Sequence, residues 1–137
     1  AESKNINTSR IIFAPRINRN DHLIRLQLSD ITLDTRIYNG HTTTTDSIQC
    51  GVPIVTLIGN HFASRVSASI LKSIGLDELI TKNISSYKSL VIKLSSDTDY
   101  LIKIKARLTE NNKYTDDFYN VKKFTKELED SLISITG

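Results

Sequence analysis

Two kinds of apolar pattern alternate along this chain. Short runs rich in β-branched residues recur at RIIF (10–13), DITLD (30–34), PIVTL (53–57) and, more weakly, ELIT (78–81). They read as strands apolar on both faces, as a parallel sheet covered on both sides requires. Between them, apolar positions fall three or four apart: His22, Leu23 and Leu26 after Asn20, then Val66, Ile70, Leu71 and Ile74, with Gly75 placed to stop that helix. Strand alternating with helix predicts βαβ units with right-handed crossovers, hence an α/β fold of three layers, a parallel sheet with helices on both faces. Beyond residue 82 the spacing is helical only, through Tyr87, Leu90, Val91 and Leu94, then Leu101, Ile104 and Leu108, then Val121, Phe124, Leu128, Leu132 and Ile135. Amphipathic helices normally bury such stripes, so a helical C-terminal flank packed into the core is expected. The polar stretch TENNKYTDD (109–117) reads as a surface turn between the last two helices.

Length changes this picture little: 137 residues suit one domain, here residues 10–137 behind a flexible segment at 1–9. An apolar fraction of 39% and a charged fraction of 24% are those of a soluble globular protein, and no apolar run approaches the roughly 20 residues of a membrane span. The first ten residues lack the apolar centre of a signal peptide, and the single cysteine cannot form an internal disulfide, so a cytoplasmic setting is expected. Methionine is absent even at position 1, which predicts a piece of a longer protein. The net charge of +3 hints at nucleic acid, but Lys103, Lys105, Arg107, Lys122, Lys123 and Lys126 are interspersed with acids, the mark of a solvated helix face.

The chemistry concentrates in NGHTTTTDSIQCGVPIV (39–55), where Gly40, His41, four threonines and Asp46 stand directly before a buried strand. In an open parallel sheet, ligands bind beyond the carboxyl ends of the strands. A helix beginning near Thr43 would offer free backbone N–H groups and hydroxyls as a socket for an anion. The helix dipole supplies at most about 2 kcal/mol, against about 8 for micromolar affinity. Charge-assisted hydrogen bonds worth roughly 1.5 to 3 kcal/mol each would have to make up the rest, with Arg19, His22, His41 and Asp46 as candidates. The bland alternatives are an ordinary threonine N-cap completed by Asp46, a Gly40 that merely allows positive φ, a structural His22, a surface-loop His61 and a buried Cys50 thiol without chemistry. His22, His41, His61 and Cys50 lack metal-ligand spacing.

Taken together, RIIFAP, DHLIRLQLSDITLDT, NGHTTTTDSIQCGVPIVTLIG and ASRVSASILKSIGLDELI resemble the C-terminal catalytic lobe of the peptide O-linked N-acetylglucosamine transferase family. The resemblance covers most of residues 10–134. It implies a Rossmann-like lobe of a two-lobed glycosyltransferase that binds UDP-N-acetylglucosamine and passes the sugar to Ser or Thr hydroxyls of proteins, with no metal. It further implies that His41, Thr42 and Thr43 contact the diphosphate, Asp46 holds the ribose hydroxyls and His22 stacks on uracil. Arg19 stands where the family carries a ribose lysine, and Ile17 where a backbone group reads the uracil edge. No catalytic residue proper falls here beyond His41 as a stabiliser of the leaving diphosphate; the N-terminal catalytic lobe and tetratricopeptide repeats would lie upstream. The isolated chain is therefore expected to bind donor weakly and transfer nothing. Spindly-like O-fucosyltransferases, using GDP-fucose, are the sister alternative; their pattern lacks a histidine at the place of His41 and has glutamate at that of Asp46. A degenerate nucleotide-binding or interaction module is the third reading.

Overall fold

The computed structural model describes residues 1–110 and 119–136, so most of the turn expected at 109–117 lies outside the described residues. Three parallel strands form the sheet in the order β1-β2-β3: β1 is Thr32–Leu33, β2 is Ile54–Leu57 and β3 is Ile80–Thr81. Thr32 stands opposite Ile54, and Thr56 opposite Ile80. Each strand lies within one of the β-branched runs, and β2, paired on both edges, is the most deeply buried.

Six helices accompany the sheet among the described residues: α1 Arg19–Gln27, α2 Thr42–Gln49, α3 Val66–Ser73, α4 Ile84–Ser96, α5 Thr98–Glu110 and α6 Val121–Thr136. Local chemistry sets their ends. The Asn18 side chain accepts from the Asp21 amide at the start of α1, and Asn83 does the same for Ser86 at the start of α4. Gly75, with φ of 70°, ends the turn after α3 in the left-handed conformation a side chain would resist. Helices α2 and α3 are the crossovers from β1 to β2 and from β2 to β3; they touch each other and β2, and right-handed connections put them on one face. The α4 helix packs on β2 and β3, with α5 against it. Ile54, Val55, Leu71, Ile74, Leu76, Leu79, Leu94, Ile104 and Leu108 form the core between these layers. Burying such a side chain is worth roughly 1.5 to 3 kcal/mol.

Two expectations fail. RIIF at 10–13 is not a strand: residues 11–18 form no regular element, and Ile12 and Phe13 are 85% and 92% exposed. A β-branched run becomes a strand only where a neighbouring edge takes its hydrogen bonds, and no described strand does so. The stripe on α6 is also uncovered: none of its residues is buried, and Phe124, Leu128, Leu132 and Ile135 face outward. Periodicity identifies an apolar face but not what it meets.

Candidate functional site

The site is built around the N-terminus of α2, at the carboxyl end of β1. Asp34 follows β1 directly, and its buried carboxylate organises the loop that leads to the helix. Its Oδ1 accepts the amides of Thr35 (2.9 Å) and Gly40 (2.7 Å), and its Oδ2 accepts the Thr56 hydroxyl (2.6 Å) from β2. The Tyr87 hydroxyl of α4 donates to the Asp34 carbonyl at 3.1 Å. Asn39, also buried, donates its amide to the Ala63 carbonyl (2.8 Å) and its Nδ2 to the Thr35 carbonyl (3.2 Å). The loop is thereby tied to strand, helix and the following 59–64 segment at once.

Gly40 is not among the positive-φ residues, so its conformational freedom is not what the site uses. The reason is space: a Cβ there would lie 2.3 Å from Thr43 Oγ1 and 2.8 Å from Thr44 Oγ1. Its carbonyl accepts the hydroxyls of Thr44 (2.8 Å) and Ser67 (3.0 Å), which lock α2 to α3. The four threonines therefore divide. Thr44 is a buried strut and Thr45 bonds back to the Thr42 carbonyl at 2.8 Å, while Thr42 and Thr43 are exposed at the helix end.

His41 is the N-cap of α2, yet its side chain caps nothing. The first intrahelical bond runs from the Thr45 amide to the His41 carbonyl (3.1 Å), which leaves the amides of Thr42, Thr43 and Thr44 without an intrahelical acceptor. The imidazole is held by packing: it stacks on Tyr38 with ring centres 5.4 Å apart and meets the Phe62 ring edge-on at 6.0 Å. Its Nε2 and Asn39 Oδ1 are buried without a hydrogen-bond partner, the two such side-chain atoms among the described residues. Buried polar groups are normally satisfied, so two such atoms two residues apart single out this corner of the loop.

One turn along α2, Asp46 does not complete a capping box. Its carboxylate receives both arms of Arg19, Nη2 to Oδ1 at 2.8 Å and Nη1 to Oδ2 at 3.3 Å. The Asp46 side chain is 6% exposed and that of Arg19 is 60%, so the carboxylate is buried while the guanidinium still reaches solvent. A bidentate pair of this kind fixes direction more than it adds stability. Arg19 opens α1, and His22 lies one turn on, half-buried, with Nδ1 3.4 Å from Arg25 Nη2. Arg25 in turn donates to the Pro15 carbonyl at 3.0 Å, holding the segment that carries the half-buried Ile17 against α1. Thus α1 supplies Arg19 and His22, α2 supplies Asp46, Thr42 and Thr43, and contact between the two helices joins both sets.

Cys50 ends α2 with Sγ 3.6 Å from the Leu23 carbonyl. Burial, then the Asp46 charge, push its thiol pKa up, away from thiolate character. His61 is exposed, with its ring nitrogen 3.3 Å from Ser64 Oγ. Among the described residues, no group of three or more His, Cys, Asp or Glu is placed to hold a metal. A cavity of 770 Å³ beside α3, lined by Phe62, Val66, Ile70 and Ile80, contains none of these site residues. Sequence reasoning missed Asp34 and Asn39; the available signal was a carboxylate at the end of a strand, six residues before Gly40.

The sequence model of glycosyl transferase family 41 matches residues 1–128. The chain belongs to this family. Curated relatives agree: a UDP-N-acetylglucosamine--peptide N-acetylglucosaminyltransferase of Caenorhabditis elegans is 34% identical over 129 residues, 94% of this chain and 11% of the relative. A SPINDLY protein of Petunia hybrida, named a probable UDP-N-acetylglucosamine--peptide N-acetylglucosaminyltransferase, is 39% identical over 110 residues, 80% of this chain and 12% of the relative. An O-GlcNAc transferase mutant of Thermobaculum terrenum superposes with a TM-score of 0.86 at 29% identity, over 96% of this chain and 25% of that one. The family 41 chain described here thus has the Rossmann-like fold of that transferase and spans a small part of its relatives' length. No helix among the described residues is long and apolar enough to cross a membrane.

Proposed function

We propose that this chain is the nucleotide-binding lobe of a protein glycosyltransferase that takes UDP-N-acetylglucosamine and passes the sugar to Ser or Thr hydroxyls of a protein acceptor. The observation that carries the reading is the arrangement of α2. Its open N-terminus, with the orphaned His41 Nε2, and its buried Asp46 carboxylate sit on one helix four residues apart, about 6 Å along the axis. An anion socket followed at that spacing by a fixed carboxylate suits a diphosphate joined to a ribose, with Asp46 accepting from the ribose hydroxyls. Arg19 holds the Asp46 carboxylate aimed, and its guanidinium has donors to spare for the ligand.

As the sugar leaves, negative charge grows on the diphosphate. The amides of Thr42 and Thr43, the two exposed hydroxyls and His41 stabilise that charge, which lowers the barrier. Uracil would lie over His22, with the backbone at Ile17 meeting its edge. The opposing catalytic lobe belongs to the rest of the full-length protein, so the 137 residues alone bind donor weakly and catalyse no transfer.

Calorimetric titration of the chain with uridine diphosphate and guanosine diphosphate tests the reading. A preference for the uridine ligand that His22→Ala removes and Asp46→Ala weakens supports it. Preference for guanosine diphosphate moves the assignment to a fucosyl donor, and sugar transfer to a peptide by the isolated chain contradicts the division of labour between lobes.

A further inference from the structure

A second cavity opens at the carboxyl ends of the strands. It measures 330 Å³, within the range of small-ligand pockets, and is lined by residues from the loops after all three strands, among them Arg36, Leu57, His61, Lys82 and Ile84. Two features define its chemistry. Arg36, His61 and Lys82 border it, and no carboxylate does. The ion pairs of the described residues are Arg19–Asp46, Lys105–Asp30 and Arg107–Glu78, so neither Arg36 nor Lys82 is paired with a described acid. Asp34, the acid beneath, has its carboxylate engaged by two amides and a hydroxyl. The α4 helix begins at the rim, at Ile84, and has no acid in its first turn to complement its positive end. The other feature is an apolar wall of Ile37, Leu57, Ile58 and Ile84.

A cationic rim over an apolar wall fits a carboxylate carried on methylenes, as in an acidic side chain. The cavity shares its loops with the proposed diphosphate seat: Ile37 and His61 line it, and the residues next to them in the chain, Tyr38 and Phe62, pack against His41. We infer that this cavity is the seat of a glutamate or aspartate side chain of the acceptor polypeptide, a few residues from the hydroxyl to be modified. The inference rests on the donor reading given above. It makes Arg36 and Lys82 specificity-determining residues: they select acceptors with acid near the target and take no part in binding the nucleotide.

The test is a nitrogen-15 NMR titration of the chain with an acetylated peptide containing serine and two glutamates, beside the same peptide with glutamines. The expected result is saturable shifts at the amides of Arg36, Gly59 and Lys82 for the glutamate peptide, at least about tenfold weaker for the glutamine peptide and weaker again as salt is added. Arg36→Gln and Lys82→Gln, both at exposed positions that leave the core intact, should each reduce affinity for the glutamate peptide and leave that for the glutamine peptide unchanged. Equal response to the two peptides, no response to either, or affinity indifferent to both substitutions overturns the proposal. Uridine diphosphate added to the same sample reports separately at Thr42 to Thr44. Loss of that response with the peptide response intact sinks the donor reading and leaves the acidic seat standing.

Discussion

The loop from Asp34 to Asp46 and the segments Ile11–Asn18 and α6 are opposites. The loop is polar in sequence, yet Asp34, Asn39, Thr44 and Asp46 are buried and tied by hydrogen bonds to three neighbouring elements. The other two carry apolar runs or stripes in sequence, yet Phe13, Phe124 and Ile135 lie exposed. Hydrophobicity alone would assign the core to the wrong region. What decides is whether neighbouring structure can satisfy each group: carboxylates and threonines are buried where amides and hydroxyls meet them, and apolar stripes stay open where no described surface faces them.

Breaking the buried side of this contrast should cost most. Asp34→Ala orphans two amides and the Thr56 hydroxyl, and should destabilise the chain by about 3 kcal/mol in urea unfolding while loosening the diphosphate seat. Gly40→Ala forces a methyl onto Thr43 and Thr44, with an expected loss of about 2 kcal/mol and weaker nucleotide binding than the stability change alone explains. Tyr87→Phe removes the hydroxyl bonded to the Asp34 carbonyl and should cost about 1 kcal/mol at neutral pH.

The same residue gives a pH signature. Burial first, and the Asp34 charge second, raise the Tyr87 phenol above its ordinary value of 10.0, so the folded state holds that proton more tightly than the unfolded one. Its contribution is fully present below pH 10 and lost as pH rises through the folded value; the alkaline fall in stability should flatten in Tyr87→Phe. The smallest effect belongs to the other region. Phe124→Ala on α6 should change stability of this chain by less than about 0.5 kcal/mol, and a larger loss would show that the stripe is covered after all.

The sequence made the alternating architecture legible because β2, α3, α4 and α5 bury what their periodicity says they bury: Ile54, Leu71, Leu94 and Ile104 all lie in the core. It misread RIIF and α6 for one reason, since pattern describes a face and leaves its partner unspecified. Arg19, His22, His41 and Asp46 were candidates on their chemistry beside the threonine run, and resemblance to a family gave them and Thr42 and Thr43 particular roles. The structure gathers them on the two touching helices α1 and α2 and at the mouth of α2. The Arg19–Asp46 pairing and the bond from the Thr56 hydroxyl to Asp34 were not legible, because each joins residues more than twenty apart in sequence.

The central claim is that the open end of α2 is a seat for diphosphate. Comparing the affinity of the chain for uridine and for uridine diphosphate, with and without His41→Ala, tests it most directly. The account predicts that the diphosphate improves binding at least about tenfold and that His41→Ala removes most of that gain. Equal affinity for the two ligands, or a gain untouched by the loss of His41, would contradict it.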